Sequence, residues 1–430
     1  MRLVLAVAVA AGAVALLESH GGHGSGGSAR GGAGQKALSS GHGVAGGSAA
    51  PGPARPSSET GHVSVAGGPA VTRSLEHGSM VVVIDEPSPG LFEEQNRSIA
   101  QGATVAVEEL NTAGGLAGHI RIKLIRQRLD GLSATALEGR LRSEAAAVLI
   151  LPCDTDSQLS LAAEASQYGV LMLAPCNPEA SAGGRYATYW PVGTAATDEA
   201  AGFTSFMYTF GYRDVFAVTA SGSRYVELLS SDFLSAAKAR GIELDGSASI
   251  SLTAPNYSEL AQAIRAVHPR PSAIYTALPP PLVNRLASGL AAQGVHTIVL
   301  GSSAMDTPST LASAGKAMEN ATFASYGFPR VSASARRFAS DYRRQFRREP
   351  VGSFPGLGFE TIRLLEGAVR KAGSAEPSAI QQALSGGLSL SGVALAERAY
   401  TSGGDHNPAG EVAISKIASG SFLPLQVTAP

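Results

Sequence analysis

Net charge is almost absent from this chain. Its 33 Lys and Arg side chains are balanced by 34 Asp and Glu, leaving −1 over 430 residues. That balance gives no bulk electrostatic case for nucleic-acid binding. Catalytic signatures are also missing: the sequence contains no HExxH, no Walker loop, no GxSxG and no CxxC. Ser235-x-x-Lys238 and Ser313-x-x-Lys316 match a Ser–Lys pattern, but such spacings arise readily in Ala/Ser/Lys-rich helices. No enzymatic activity is therefore expected, and no cofactor. Beyond residue 17 no apolar run approaches transmembrane length.

Cysteine is limited to Cys153 and Cys176, which close the strand-like runs LILPC and LMLAPC. If those strands are parallel neighbours, both sulfurs lie at one sheet edge. They then either form a disulfide, as an exported protein permits, or stay as two buried thiols. Tryptophan is limited to Trp190. It serves as a core aromatic or stacks on a ligand.

Residues 1–18 hold Arg2 followed by the apolar run Leu3–Leu17. That length suits a secretory signal better than a membrane span, with an uncleaved anchor as the alternative. Residues 19–78 are rich in Gly, Ser, Ala and Pro and carry few large apolar side chains, so they read as a disordered tether. Most of the chain's histidines lie there at irregular spacing, as expected of a biased linker rather than a metal site. About 350 residues remain from Met80 onward, enough for two lobes of ordinary domain size.

From Met80 strands and helices alternate. The spacing predicts strands at Met80–Asp85, His119–Arg126, Ala145–Leu151 and Val170–Ala174, with helices at Gln95–Asn111, Ser133–Ser143 and Asp156–Tyr168. Single helices between strands imply a parallel sheet. The runs AAAVLIL and VLMLA are almost wholly apolar, as for strands covered on both faces. After TYWPVGTAATDEAAG the alternation restarts, with strands at Val215–Thr219, Glu243–Ser251, Ala273–Thr276 and Thr297–Leu300. The fold class is thus α/β with two Rossmann-like lobes. Arg336, Arg337, Arg343, Arg344, Arg347 and Arg348 give one helix a basic, solvated face, or a surface for a partner.

One stretch, GATVAVEELNTAGGLAGHIRIKL at 102–124, joins a helix, a glycine-marked stop and a strand. It resembles the first helix–strand corner of type I periplasmic solute-binding proteins, especially the branched-chain amino acid group. The closing segment RAYTSGGDHNPAGEVAISKIASGSFLPL is similar to that family's ending. The resemblance runs through residues 80–430. It implies three passages between lobes, near Gly193, Tyr326 and Arg398. Lobe 1 would comprise 79–195 plus 326–397, and lobe 2 would comprise 196–325 plus 398–430.

In open α/β sheets ligands sit beyond the carboxyl ends of the strands. In similar family members that cleft holds an amino acid. Carried over, Thr155 and Ser157 of CDTDSQ are the expected carboxylate donors, and Cys176 and Asn177 stand where a further hydroxyl residue is usual. Tyr225 is the aromatic contact, and Trp190 lies just before the first passage. Ser303 of GSSAMD occupies the position of an ammonium-binding acid, with Asp306 a substitute if its loop curls back. The resemblance implies a periplasmic or extracytoplasmic monomer that passes a small polar solute to an ABC-type membrane permease. The alternative keeps the fold as a sensing or partner-activating module.

Overall fold

Gly68 leads into a short helix, α1 (Pro69–Glu76), with proline at its first position and Val71 and Leu75 turned inward. Composition alone extends the tether to residue 78. The helix shortens it, because Val71 and Leu75, four apart, find apolar cover. The computed structural model describes residues 68–86, 89–312, 315–327, 332–390, 392, 398–400, 406–409 and 411–428. The expected signal at 1–18 and the tether up to residue 67 lie outside the described residues.

Nine elements follow: β1 (Ser79–Asp85), α2 (Glu93–Thr112), β2 (Arg121–Gln127), α3 (Ala134–Ser143), β3 (Ala146–Ile150), α4 (Thr155–Ser166), β4 (Leu171–Ala174), α5 (Ala182–Arg185) and β5 (Tyr189–Pro191). Their strands form one sheet in the order β2-β1-β3-β4-β5, parallel throughout. β3 and β4 are buried along their whole length, which accounts for their unbroken apolar sequences.

The corner at 102–124 forms as its residues require. Ile99, Ala103, Ala106 and Leu110 make the buried stripe of α2. Gly115 ends the turn at φ 87°, where a Cβ would overlap the Ile120 carbonyl. Asn111 then clamps β2, donating Nδ2 to the Ile122 carbonyl at 2.9 Å and accepting the Ile122 N–H at 2.8 Å.

The second lobe begins with α6 (Ala196–Thr209), β6 (Asp214–Ser221), α7 (Arg224–Arg240), β7 (Glu243–Ser251), α8 (Tyr257–Ala266), β8 (Ala273–Thr276), α9 (Leu282–Ala292), β9 (Ile298–Gly301), α10 (Pro308–Ala312) and β10 (Thr322–Ser325). The chain then returns to the first lobe as α11 (Ala333–Phe346) and α12 (Phe354–Ala372). α12 lies against α2 so closely that a Cβ on Gly102 would overlap the Pro355 carbonyl, and one on Gly358 the Ile99 carbonyl. α13 (Pro377–Ser385) and the hairpin strands β11 (Leu388–Leu390) and β12 (Arg398–Tyr400) follow.

β13 (Val412–Ala418) and β14 (Ser421–Thr428) complete the second sheet, ordered β14-β13-β10-β9-β8-β6-β7. Its five inner-lobe strands are parallel, and β13 and β14 run antiparallel at one edge. Gly193 and Tyr326, both expected at lobe passages, lie side by side: a Cβ on Gly193 would come within 2.9 Å of the Tyr326 ring. Arg398 differs from expectation. β12 still pairs with β11, and the second sheet is rejoined only at Val412.

Candidate functional site

Residues beyond the carboxyl ends of the two sheets meet between the lobes, where Phe92 touches Tyr225 and Glu179 pairs with Arg224. From the first lobe comes the turn after β3, where Asp154 caps α4 by accepting the Ser157 N–H at 2.9 Å. Thr155 is the first residue of that helix. It is completely buried, and its hydroxyl has no hydrogen-bond partner among the described residues. Ser157 is half-buried and lines a cavity beside the cleft.

Cys176 does not face a ligand. Its sulfur is bonded to Cys153, joining the ends of the adjacent strands β3 and β4. Gln158 braces the same edge, donating Nε2 to the carbonyls of Pro152 at 2.8 Å and Cys176 at 3.0 Å. Tyr189 donates its hydroxyl to Gln158 Oε1. Asn177 is likewise engaged: its Nδ2 donates to Asn407 Oδ1 at 2.7 Å, and its carbonyl accepts the Ala196 N–H. It therefore ties β4's end to the first and third passages between lobes. Trp190 belongs to that hinge too. Its ring stacks on His406 at 3.8 Å and meets Tyr400 edge-on.

From the second lobe, Tyr225 lies in the first turn of α7 and is buried. Phe92, just before α2, packs on its ring from the opposite lobe with centroids 4.6 Å apart. Ser303 follows β9 and is 1% exposed. Its hydroxyl lies beside the Tyr225 hydroxyl and the Glu199 carboxyl without a well-formed hydrogen bond to either. Asp306 turns away from this cluster. Its Oδ2 accepts the Ser325 hydroxyl at 2.6 Å and both the hydroxyl and the N–H of Ser353, linking the end of β10 to the start of α12. The loop does not curl back because these three donors hold it at the second passage. Burial, partly offset by these donors, lifts the Asp306 carboxyl to about 6.

Three contributors escaped the sequence reading. Glu199, from the first turn of α6, accepts the Ser303 N–H at 2.9 Å. Burial raises its carboxyl to about 7, with Asp232 and Asp306 adding to the effect of desolvation. Glu179 of APCNPEA accepts Arg224 Nη2 across the cleft at 2.6 Å. Its own burial opposes ionisation, yet the hydrogen bonds from Arg224 and Ser181 outweigh that and hold the carboxyl below its ordinary range. Phe92 lies two residues past the strand-end loop Asp85–Gly90, the one signal that marks it. Two further links join the lobes: Gln95 Nε2 reaches the Ala304 carbonyl, and the Ser309 N–H donates to Glu94 at 3.0 Å.

Two α/β lobes joined by adjacent passages and in direct contact with one another define a bilobed protein. A model of the periplasmic binding protein family matches residues 83–421, and the chain belongs to that family. Solved structures agree in fold. A leucine-binding protein of Thermotoga maritima is 18% identical, with a TM-score of 0.70 over 82% of this chain and 99% of that one. The branched-chain amino acid transporter substrate-binding protein of Streptococcus pneumoniae, in complex with isoleucine, is 16% identical with a TM-score of 0.72 over 82% and 99%. A solute-binding protein of an ABC transporter from R. palustris, in complex with benzoate, is 17% identical with a TM-score of 0.69 over 82% and 96%. No curated protein matches the sequence. Among the described residues no helix is long and apolar enough to cross a membrane.

Proposed function

We propose that this protein is an extracytoplasmic solute-binding protein that closes its two lobes on a small polar molecule and presents it to an ABC-type permease. The carrying observation is a pair of buried hydroxyls, Thr155 from the first lobe, which has no hydrogen-bond partner among the described residues, and Ser303 from the second, which lies beside Glu199 and Tyr225 without a well-formed hydrogen bond to either. A buried polar group without a partner costs about 1–3 kcal/mol. A ligand touching both lobes supplies the missing partners only in the closed state, and so binds that state more tightly. No residue is assigned a catalytic part.

Thermal-shift screening of amino acids, amides, short acids and amines tests this reading. A hit should raise the melting temperature, and Thr155→Ala and Ser303→Ala should each weaken that hit about tenfold. The reading fails if no compound in a broad panel shifts the melting curve.

A second reading, a partner-activating module, has its own support. The lobes are linked directly by Glu179–Arg224, Phe92–Tyr225 and Glu94–Ser309, contacts that would hold them together in a protein whose task is to dock a partner. Energy transfer between labels on the two lobes separates the readings. A ligand-free protein that is already fully closed favours the partner role. One that closes on addition of a screening hit favours solute capture.

A further inference from the structure

A cavity of about 230 Å³ opens beside the cleft in the first lobe, between the carboxyl ends of β1 and β3 and the starts of α2 and α4. Four carboxyl side chains line it: Asp85, Glu93, Asp130 and Asp154. Among the described residues none of its lining side chains is Lys, Arg or His. Phe92, whose other contact is Tyr225 across the cleft, forms part of the wall, as does Ser157. Phe92 thus borders both the cavity and the contact between the lobes. It is smaller than the sites that hold drug-sized molecules, which run from about 300 Å³ upward.

Three of these carboxyls have local compensation. Asp154 caps α4. Glu93 lies in the first turn of α2, where the helix end favours negative charge, and pairs with Arg97 at 3.1 Å. Asp130 has Arg128 at 3.7 Å. Asp85 differs. It is 4% exposed, its Oδ1 accepts the Leu129 N–H at 2.8 Å, and no partner is described for its Oδ2 among the described residues. Burial raises this carboxyl to about 7, and the nearby charges of Asp130 and Glu86 act in the same direction against Arg128. A carboxylate so placed gains most from a ligand that brings a positive charge and N–H donors.

The opposite end of a conventional amino acid has no comparable welcome. Asp154 and Asp156 precede and follow Thr155 in the chain and add negative charge to this helix start. Cys176 is used in the disulfide, and Asn177 is held by Asn407. Arg224, the cation facing α4, is engaged by Glu179. Among the described residues no group of His, Cys, Asp and Glu is arranged to hold a metal ion, so the cation that suits the cavity is an organic one.

We propose that this cavity receives a primary ammonium group on Asp85, and that the solute taken into the cleft is a small amine without a carboxylate. The inference rests on the solute-binding reading above and names its ligand class.

Three molecules that share one branched skeleton test it: 3-methylbutylamine, L-leucine and 4-methylpentanoate, titrated calorimetrically into the full-length protein at pH 8. The amine should bind, and the other two should bind at least tenfold more weakly. Asp85→Asn keeps the acceptor for the Leu129 N–H and should lower amine affinity at least tenfold while the far-ultraviolet circular dichroism is unchanged. Should that variant misfold, Glu93→Gln, on the same wall, should weaken the amine several-fold. Tight binding of leucine or the acid without the amine overturns the ligand class and leaves solute capture standing. Amine binding that Asp85→Asn and Glu93→Gln leave unchanged overturns the assignment of the cavity. Silence from these three and from a broad panel overturns both readings.

Discussion

Glu199→Gln should make the protein more stable at alkaline pH and remove part of its pH dependence. The carboxyl accepts the Ser303 N–H at 2.9 Å, and glutamine offers the same acceptor oxygen. What the substitution removes is the cost of ionising a buried acid. Desolvation raises the folded-state pKa from 4.5 to about 7. Between those values the folded protein holds a proton that the unfolded chain has released, so stability falls as pH rises. The contribution is fully present below about 4.5 and is lost as pH passes through about 7. At about 1.4 kcal/mol per unit, the interval corresponds to about 3 kcal/mol at pH 8. A folded part of about 350 residues has an unfolding entropy near 0.7 kcal/mol/K, which turns this into about 4 °C if the unit melts as one. Melting curves of wild type and variant should coincide at pH 4 and separate by about that amount at pH 8, the variant higher. Parallel curves across the range would show that Glu199 is ionised at little cost, and the account of a desolvated acid would be wrong.

Replacing both Cys153 and Cys176 by Ala should destabilise the first lobe by about 3 kcal/mol, the loop-closure value for a sequence separation of 23; denaturant titration reads this as a lower midpoint, and an unchanged midpoint refutes the brace. Gly358→Ala should cost at least about 2 kcal/mol, because the new Cβ overlaps the Ile99 carbonyl and backbone must move; a melting curve within 1 °C of wild type would show, by the scaling above, that α2 and α12 separate freely. Arg224→Ala should shift the lobes toward the open form by about 1 kcal/mol, a modest value because the arginine side chain is 44% exposed; distance distributions between labelled lobes measure it, and no change would mean that the ion pair does not hold the cleft.

The parallel lobes were legible because their signals are local. β7 (Glu243–Ser251) and β8 (Ala273–Thr276) have the bounds their sequence predicts. β11 (Leu388–Leu390) was not anticipated. A three-residue strand carries too few positions for a period to show, and it exists because a neighbour offers an edge. α1 was hidden for a related reason. Pro69–Glu76 sits at the end of a Gly/Ser/Ala/Pro-rich segment, and only two residues, Val71 and Leu75, mark its buried side.

The places of the candidate residues in the fold were legible where chain position alone sets them, and their partners were not where another element supplies them. Thr155, Tyr225 and Ser303 lie at strand ends and helix starts, and topology brings them to the cleft. Asp306 lies at such a position too, yet Ser325 and Ser353 take its carboxylate, and neither is near it in sequence. Glu199 reaches Ser303 over 104 residues, and Glu179 reaches Arg224 over 45. Spacing rules do not extend across such gaps. The acid beside Ser303 therefore comes from α6 rather than from the β9 loop itself. Buried against a backbone N–H, Glu199 is not equivalent to an exposed ammonium-binding carboxylate. Asp85 is buried against a backbone N–H as well, yet it lines a cavity of about 230 Å³, and that opening is what suits it to a cationic ligand.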